Sequence, residues 1–133
     1  MKTLAAVITA FLVSAVLLVV SAPANAAYPK SITSSCSAQS TKLYIHPGTK
    51  ARLAFSASAA AGNGKPTGTV KVTYTRKSTG KVVKAYTRSY IGGQAVYVGP
   101  KLGRGNYIVK ATLNTGASSV FKNCYDLGRQ IVR

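Results

Sequence analysis

Gly105-Asn106-Tyr107-Ile108-Val109-Lys110-Ala111-Thr112-Leu113 is the stretch that decides the fold. Tyr107, Val109, Ala111 and Leu113 recur at every second position, the cleanest alternation in the chain. A strand sends successive side chains to opposite faces, whereas a helix would repeat its apolar residues every three or four. The segment is therefore predicted to be a strand with one buried face. The same period runs outward from it. Val70, Val72 and Tyr74 alternate with Lys71, Thr73 and Thr75 across Thr69–Arg76, and Ala51, Leu53, Phe55 and Ala57 share one side of Lys50–Ala57. Thr41–His46, Lys81–Tyr90 and Gln94–Val98 are strand-like, and a last strand is expected between Ser119 and Val132. Turn signals separate these runs: Pro47-Gly48, the Ala- and Gly-rich Ser58–Gly68, Ser78-Thr79-Gly80, Gly92-Gly93, Gly99-Pro100 and Gly103-Arg104-Gly105. About seven short strands with no helical period predict an all-β, two-sheet sandwich.

Ahead of these strands, Met1-Lys2 gives a positive start and Thr3–Val20 is almost wholly apolar. Ala24-Asn25-Ala26 then has the A-x-A form of a signal-peptidase site, so residues 1–26 are expected to be a cleaved signal peptide. The competing reading, a membrane span, is disfavoured because no basic cluster follows and Pro23 breaks the run. Residues 27–40, rich in Ser and Ala, are expected to be a lead-in with at most a short edge strand, and residues 41–133 the single sandwich domain. A secreted, extracellular protein follows from the leader.

Cys36 and Cys124 are the only cysteines. In an exported chain a lone pair is expected to form a disulfide. The rival is a zinc site of both cysteines with His46, but zinc ligands usually come in close sequence pairs.

With the strands in order, the chain resembles the bacterial Ig-like repeat domains of secreted and surface proteins of Gram-positive bacteria, over about Thr41–Cys124. The resemblance is carried by Pro66-Thr67-Gly68-Thr69-Val70, by Gly93–Leu102, by Gly105-Asn106-Tyr107-Ile108-Val109-Lys110-Ala111 and by Phe121 before the last strand. It implies an Ig-like sandwich in which Leu102 and Tyr107 fold inward from either side of a glycine turn, with the Tyr107 hydroxyl anchoring that corner. The chain departs from the family in having one domain rather than an array, in adding Cys36 and Cys124, and in being far more basic.

Catalysis is disfavoured by counting. His46 and Asp126 are the only histidine and the only acidic side chain, so paired-carboxylate hydrolysis is excluded and a triad must use both. The simpler reading makes His46 a strand-end residue before a turn and Asp126 a surface partner of Lys or Arg. No cofactor and no small-molecule substrate are expected. Calcium would need more oxygen ligands.

The charge is the strongest remaining feature: 18 Lys and Arg against one acid, +17 for the chain and +16 once Lys2 leaves with the leader. Lys71 and Lys110 fall opposite the apolar sets of their strands, and Lys84, Tyr86, Arg88 and Tyr90 share one side of theirs. Cations interleaved with aromatics suit anionic polymers. Lys71, Lys84, Tyr86, Arg88 and Lys110 are the candidate polyanion-binding residues. The expected function is a non-catalytic module with a binding or structural role at the bacterial surface. Its expected partner is an anionic cell-wall polymer or polysaccharide, with nucleic acid bound only non-specifically. The rival is a cationic secreted effector acting on competitor membranes or nucleic acid, although no amphipathic helix supports lysis.

Overall fold

A computed structural model describes residues 30–133, so the expected leader and its cleavage point lie outside the described residues. These residues form eight strands: β1 (Ser34–Ser40), β2 (Tyr44–Ile45), β3 (Lys50–Ala59), β4 (Gly68–Arg76), β5 (Val82–Tyr90), β6 (Gln94–Lys101), β7 (Gly105–Asn114) and β8 (Cys124–Val132). They make two sheets, a three-stranded one in the order β1-β3-β6 and a five-stranded one in the order β2-β8-β7-β4-β5. Every pairing is antiparallel except β2 with β8. The all-β, two-sheet architecture is as the alternation predicts.

The predicted inward faces form the core. Tyr107, Val109, Ala111 and Leu113 of β7 are buried with Val70, Val72 and Tyr74 of β4, and with Ala51, Leu53 and Phe55 of β3. Leu102 and Tyr107 are both buried, and the Tyr107 hydroxyl donates to Gly103 O at 2.6 Å. The Arg76 guanidinium donates to that same hydroxyl at 3.0 Å, fixing the β6–β7 corner to the end of β4. Gly68 permits β4 to begin hard against the end of β7: a Cβ there would lie 2.0 Å from Asn114 O. Phe121 packs its ring against Gly64 in the long loop.

One long side of the sandwich is stapled. The Cys36–Cys124 disulfide joins β1 to β8 across the two sheets, with Cα atoms 5.6 Å apart, which removes both cysteines from any zinc site. Beside it Asp126 Oδ2 accepts the Ala38 N–H at 2.8 Å, and Ser40 Oγ donates to Arg129 O at 2.6 Å.

The structure corrects the expectation in three places. Ser34–Ser40 is a full edge strand belonging to the three-stranded sheet, so the sandwich begins before residue 41 and holds eight strands. Its inward residues, Ala38 and Cys36, are small, which is why the segment shows little apolar pattern. The strand expected over Thr41–His46 shrinks to two residues: the Thr41 N–H still donates to Arg52 O of β3, the Lys42 carbonyl accepts the buried Gln130 amide at 3.0 Å, and the Leu43 carbonyl accepts both that amide at 2.9 Å and the Ile131 N–H of β8 at 2.8 Å. Among the described residues Asp126 forms no ion pair with Lys or Arg. It is half-buried in the β1–β8 seam and serves a backbone amide.

Candidate functional site

The five candidate residues do not share one face. β5 is the free edge of the five-stranded sheet, paired with β4 alone. Its register sets Arg88 opposite Val70, Tyr86 opposite Val72 and Lys84 opposite Tyr74, so the three point to the inner side of their sheet. They nevertheless meet solvent, because a sheet of three strands is too narrow to cover a sheet of five. Lys71 stands opposite Thr87 and Thr112, and Lys110 opposite Thr73 and Leu127, on the outer side. Lys84, Tyr86, Arg88 and Tyr90 do share one side of β5, but the row is not exposed throughout. Tyr90 is only 2% exposed, packs edge-on against Phe55, and ties β5 to β3. Its hydroxyl donates to Gly93 O at 2.5 Å and accepts the Ala57 N–H at 2.8 Å.

On the inner side, a cleft of about 430 Å³ separates β5 from β6. Lys84, Tyr86 and Arg88 line one wall, Val98, Gly99 and Pro100 the other, and Lys50 of β3 also lines it. The Arg88 guanidinium lies 4.9 Å over the Tyr86 ring, and Arg88 Nη1 donates to Thr87 O at 3.1 Å. The Tyr86 ring lies 6.2 Å from that of Tyr74, centroid to centroid, and its hydroxyl is buried without a partner of hydrogen-bonding geometry. Lys50 and Gly99 were missed in the sequence because they reach the cleft from the other sheet.

The outer side of the five-stranded sheet is a second basic face. Lys71, Thr112 and Tyr125 stand in one cross-strand row, Thr73, Lys110 and Leu127 in the next, followed by Thr75, Ile108 and Arg129. Tyr125 is 60% exposed and Leu127 55%, and Lys110 Nζ lies 4.6 Å over the Tyr125 ring. A diagonal cross-strand pair of this kind fixes a cation above an aromatic plane. A hollow of about 380 Å³ lies among Lys77, Ile108, Leu127, Arg129 and Ile131.

His46 is exposed at its turn, with Nδ1 3.3 Å from Arg133 O. Ile45 pairs with Val132, six residues along β8 from Asp126, which at ~3.3 Å per residue sets His46 and Asp126 roughly 20 Å apart. They do not form a dyad.

Burial raises the pKa of three tyrosines near the cleft. Tyr74 is pushed far above its usual 10.0 by burial first, then by the neighbouring Tyr86. Tyr86 is raised by burial, partly offset by the Tyr74 hydroxyl and the Arg88 charge, and Tyr97 is raised by burial and then by Tyr90 and Tyr86. The folded state thus holds phenolic protons that the unfolded chain releases from about pH 10 upward. Their contribution to stability is whole below pH 10 and is lost as pH climbs from there through the folded values. Denaturant titrations should show stability falling above pH 10, with Tyr74→Phe flattening that fall. An alkaline profile unchanged in Tyr74→Phe would contradict the assignment.

The fold and these surfaces define a class: an all-β, disulfide-closed, strongly basic sandwich. A disulfide of this kind is compatible with an extracellular protein. No protein-family model matches the chain, and no curated protein sequence matches it.

Proposed function

We propose that this chain is a secreted, non-catalytic Ig-like module that holds anionic polymers electrostatically at a bacterial cell surface. The strand order of the two sheets and the hydroxyl of Tyr107 bonded back to Gly103 support the Ig-like part, since Ig folds use a tyrosine in this way at the same kind of corner. The observation that carries the binding part is the distribution of charge. The chain's one acidic side chain, Asp126, is engaged at the β1–β8 seam, while cations occupy both sides of the five-stranded sheet. Seventeen cationic side chains outside the leader cannot be neutralised by one carboxylate, so an external polyanion is the natural counter-charge.

Such binding is driven by release of counterions and weakens steeply as salt rises. Affinity for polyphosphate, DNA and an acidic polysaccharide should fall by a factor on the order of 10³ between 50 and 200 mM salt if about six charges are neutralised. It should differ little among polymers of similar charge density. Glu substitutions at Lys71 and Lys110, or at Lys84 and Arg88, should each lower the slope of log affinity against log salt by about the number of contacts removed. His46→Ala should leave it unchanged. Salt-independent retention on a neutral glycan would overturn the proposal.

A further inference from the structure

We infer that the cleft between β5 and β6 is a site for an organic phosphate ester. Lys50, Lys84 and Arg88 would hold the phosphate, and Tyr86, Val98 and Pro100 would receive the carbon skeleton. The inference rests on the polyanion reading and names the group that such a polymer presents and where it is taken.

Five observations converge on this cleft. Its volume of about 430 Å³ falls in the range of small-molecule sites, whereas diffuse polyanion binding needs no concavity. Its lining carries three cations and no acid, and Asp126 lies at the opposite, β1–β8 seam of the sandwich. Three positive charges exceed what a single carboxylate neutralises. A phosphate monoester brings up to about two negative charges and three acceptor oxygens, and two successive diester repeats of a polymer, or two neighbouring diester headgroups, bring the same charge. The guanidinium of Arg88 is already placed, resting on Tyr86 and anchored to Thr87 O through one nitrogen, which leaves most of its five donors for a bidentate phosphate contact.

The other two observations concern the opposite wall. Lys50 stands directly across from Lys101 in the β3–β6 register, and like charges so placed repel. An anion held in the cleft beside Lys50 would offset that repulsion. Gly99 has no left-handed backbone to explain it. Space explains it: a Cβ there would lie 2.8 Å from Tyr74 Oη, 3.2 Å from Ala51 O and 3.3 Å from Tyr86 Cε1. The missing side chain keeps the floor of the cleft open beside the Tyr86 ring.

The test uses glycerol 3-phosphate as the probe, added to the disulfide-bonded protein at constant ionic strength with chloride as the balancing anion. Binding, followed by NMR titration, should be saturable and tighter than for inorganic phosphate, which lacks a carbon skeleton. The pair Lys84→Gln and Arg88→Gln, both exposed and therefore compatible with folding, should weaken it about tenfold or more. The pair Lys42→Gln and Lys122→Gln, exposed cations that do not line the cleft, should change it less than twofold. Equal loss in both pairs, or retention in the first, would overturn the inference, and parity with inorganic phosphate would overturn the role given to Tyr86, Val98 and Pro100. Soluble poly(glycerol phosphate) and phosphatidylglycerol vesicles separate the two sources of such an ester: the arm in which the Lys84/Arg88 pair loses binding identifies a polymer repeat or a lipid headgroup. If polymers bind with the expected salt slope but glycerol 3-phosphate does not bind, the cleft fails and the polyanion reading stands. If the probe binds in the cleft but no polymer binds with a salt slope, the cleft stands and that reading fails.

Discussion

Val109→Asp is expected to leave no cooperatively folded protein. Val109 is wholly buried in the middle of β7, between Tyr74 of β4 and Gly128 of β8. The cations lining the two basic faces are at the surface, and the side chains buried around position 109 are apolar or aromatic apart from the neutral amide of Gln130, so an aspartate there meets no counter-charge. A fully buried carboxyl has its pKa raised by about 3–5 units, which at neutral pH costs roughly 4 kcal/mol before the burial of the neutral acid and the lost packing are counted. A domain of this size has only about 5–15 kcal/mol to lose. Ile108→Asp, one residue away on the outer face beside Arg129, should change stability by no more than about 0.5 kcal/mol. Circular dichroism melts of the two variants check the assignment together. A cooperative transition in Val109→Asp, or loss of it in Ile108→Asp, would reverse which face of β7 is buried.

The contrast between positions 108 and 109 shows why the centre of the fold was legible. In β3, β4 and β7 one face is covered by the other sheet and the other meets water, so the residues had to alternate, and the alternation could be read without coordinates. β1 has the same geometry but fills its share of the core with Ala38 and half of a disulfide, and small residues leave no hydrophobic signature. β2 failed for a different reason. Thr41–Leu43 has strand-like composition, yet its backbone groups are divided between Arg52 of β3, Ile131 of β8 and the side chain of Gln130, eighty-seven residues from Leu43. No local rule anticipates a competitor that distant.

The candidate site was half legible for the same reason. Period two placed Lys84, Tyr86 and Arg88 together, and it placed Lys71 and Lys110 opposite their apolar sets. It could not say that the first group points inward over an uncovered margin, because that depends on one sheet having five strands and the other three. Nor could it supply Lys50 and Gly99, which reach the cleft only through the β3–β6 register and the packing of the sheets. Tyr90 shows the limit within a single strand: four residues beyond Tyr86 on the same side, it lies where the cover begins, and it is buried.

Breaking the Cys36–Cys124 bond is the second large effect expected. The bond closes a loop of 88 residues, and constraining an unfolded chain at that separation is worth about 4–5 kcal/mol on the chain-entropy account. That approaches the whole net stability of a small domain. The native β1–β8 seam keeps its other links, the Ala38 amide on Asp126 and the Ser40 hydroxyl on Arg129 O, so the loss falls mainly on the unfolded state and not on the folded contacts. The reduced protein, or the Cys36→Ala/Cys124→Ala double variant, should therefore keep its native far-ultraviolet spectrum in the cold while its melting temperature drops by about 20 °C or more. The oxidised protein should contain no alkylatable thiol by mass spectrometry. Self-repulsion among the basic side chains adds a second signature. Once the staple is gone, moderate salt should recover part of the lost stability by screening that repulsion, and should do so with chloride as well as with phosphate. A reduced protein that melts where the oxidised one does would show that the seam is held by its hydrogen bonds and packing alone.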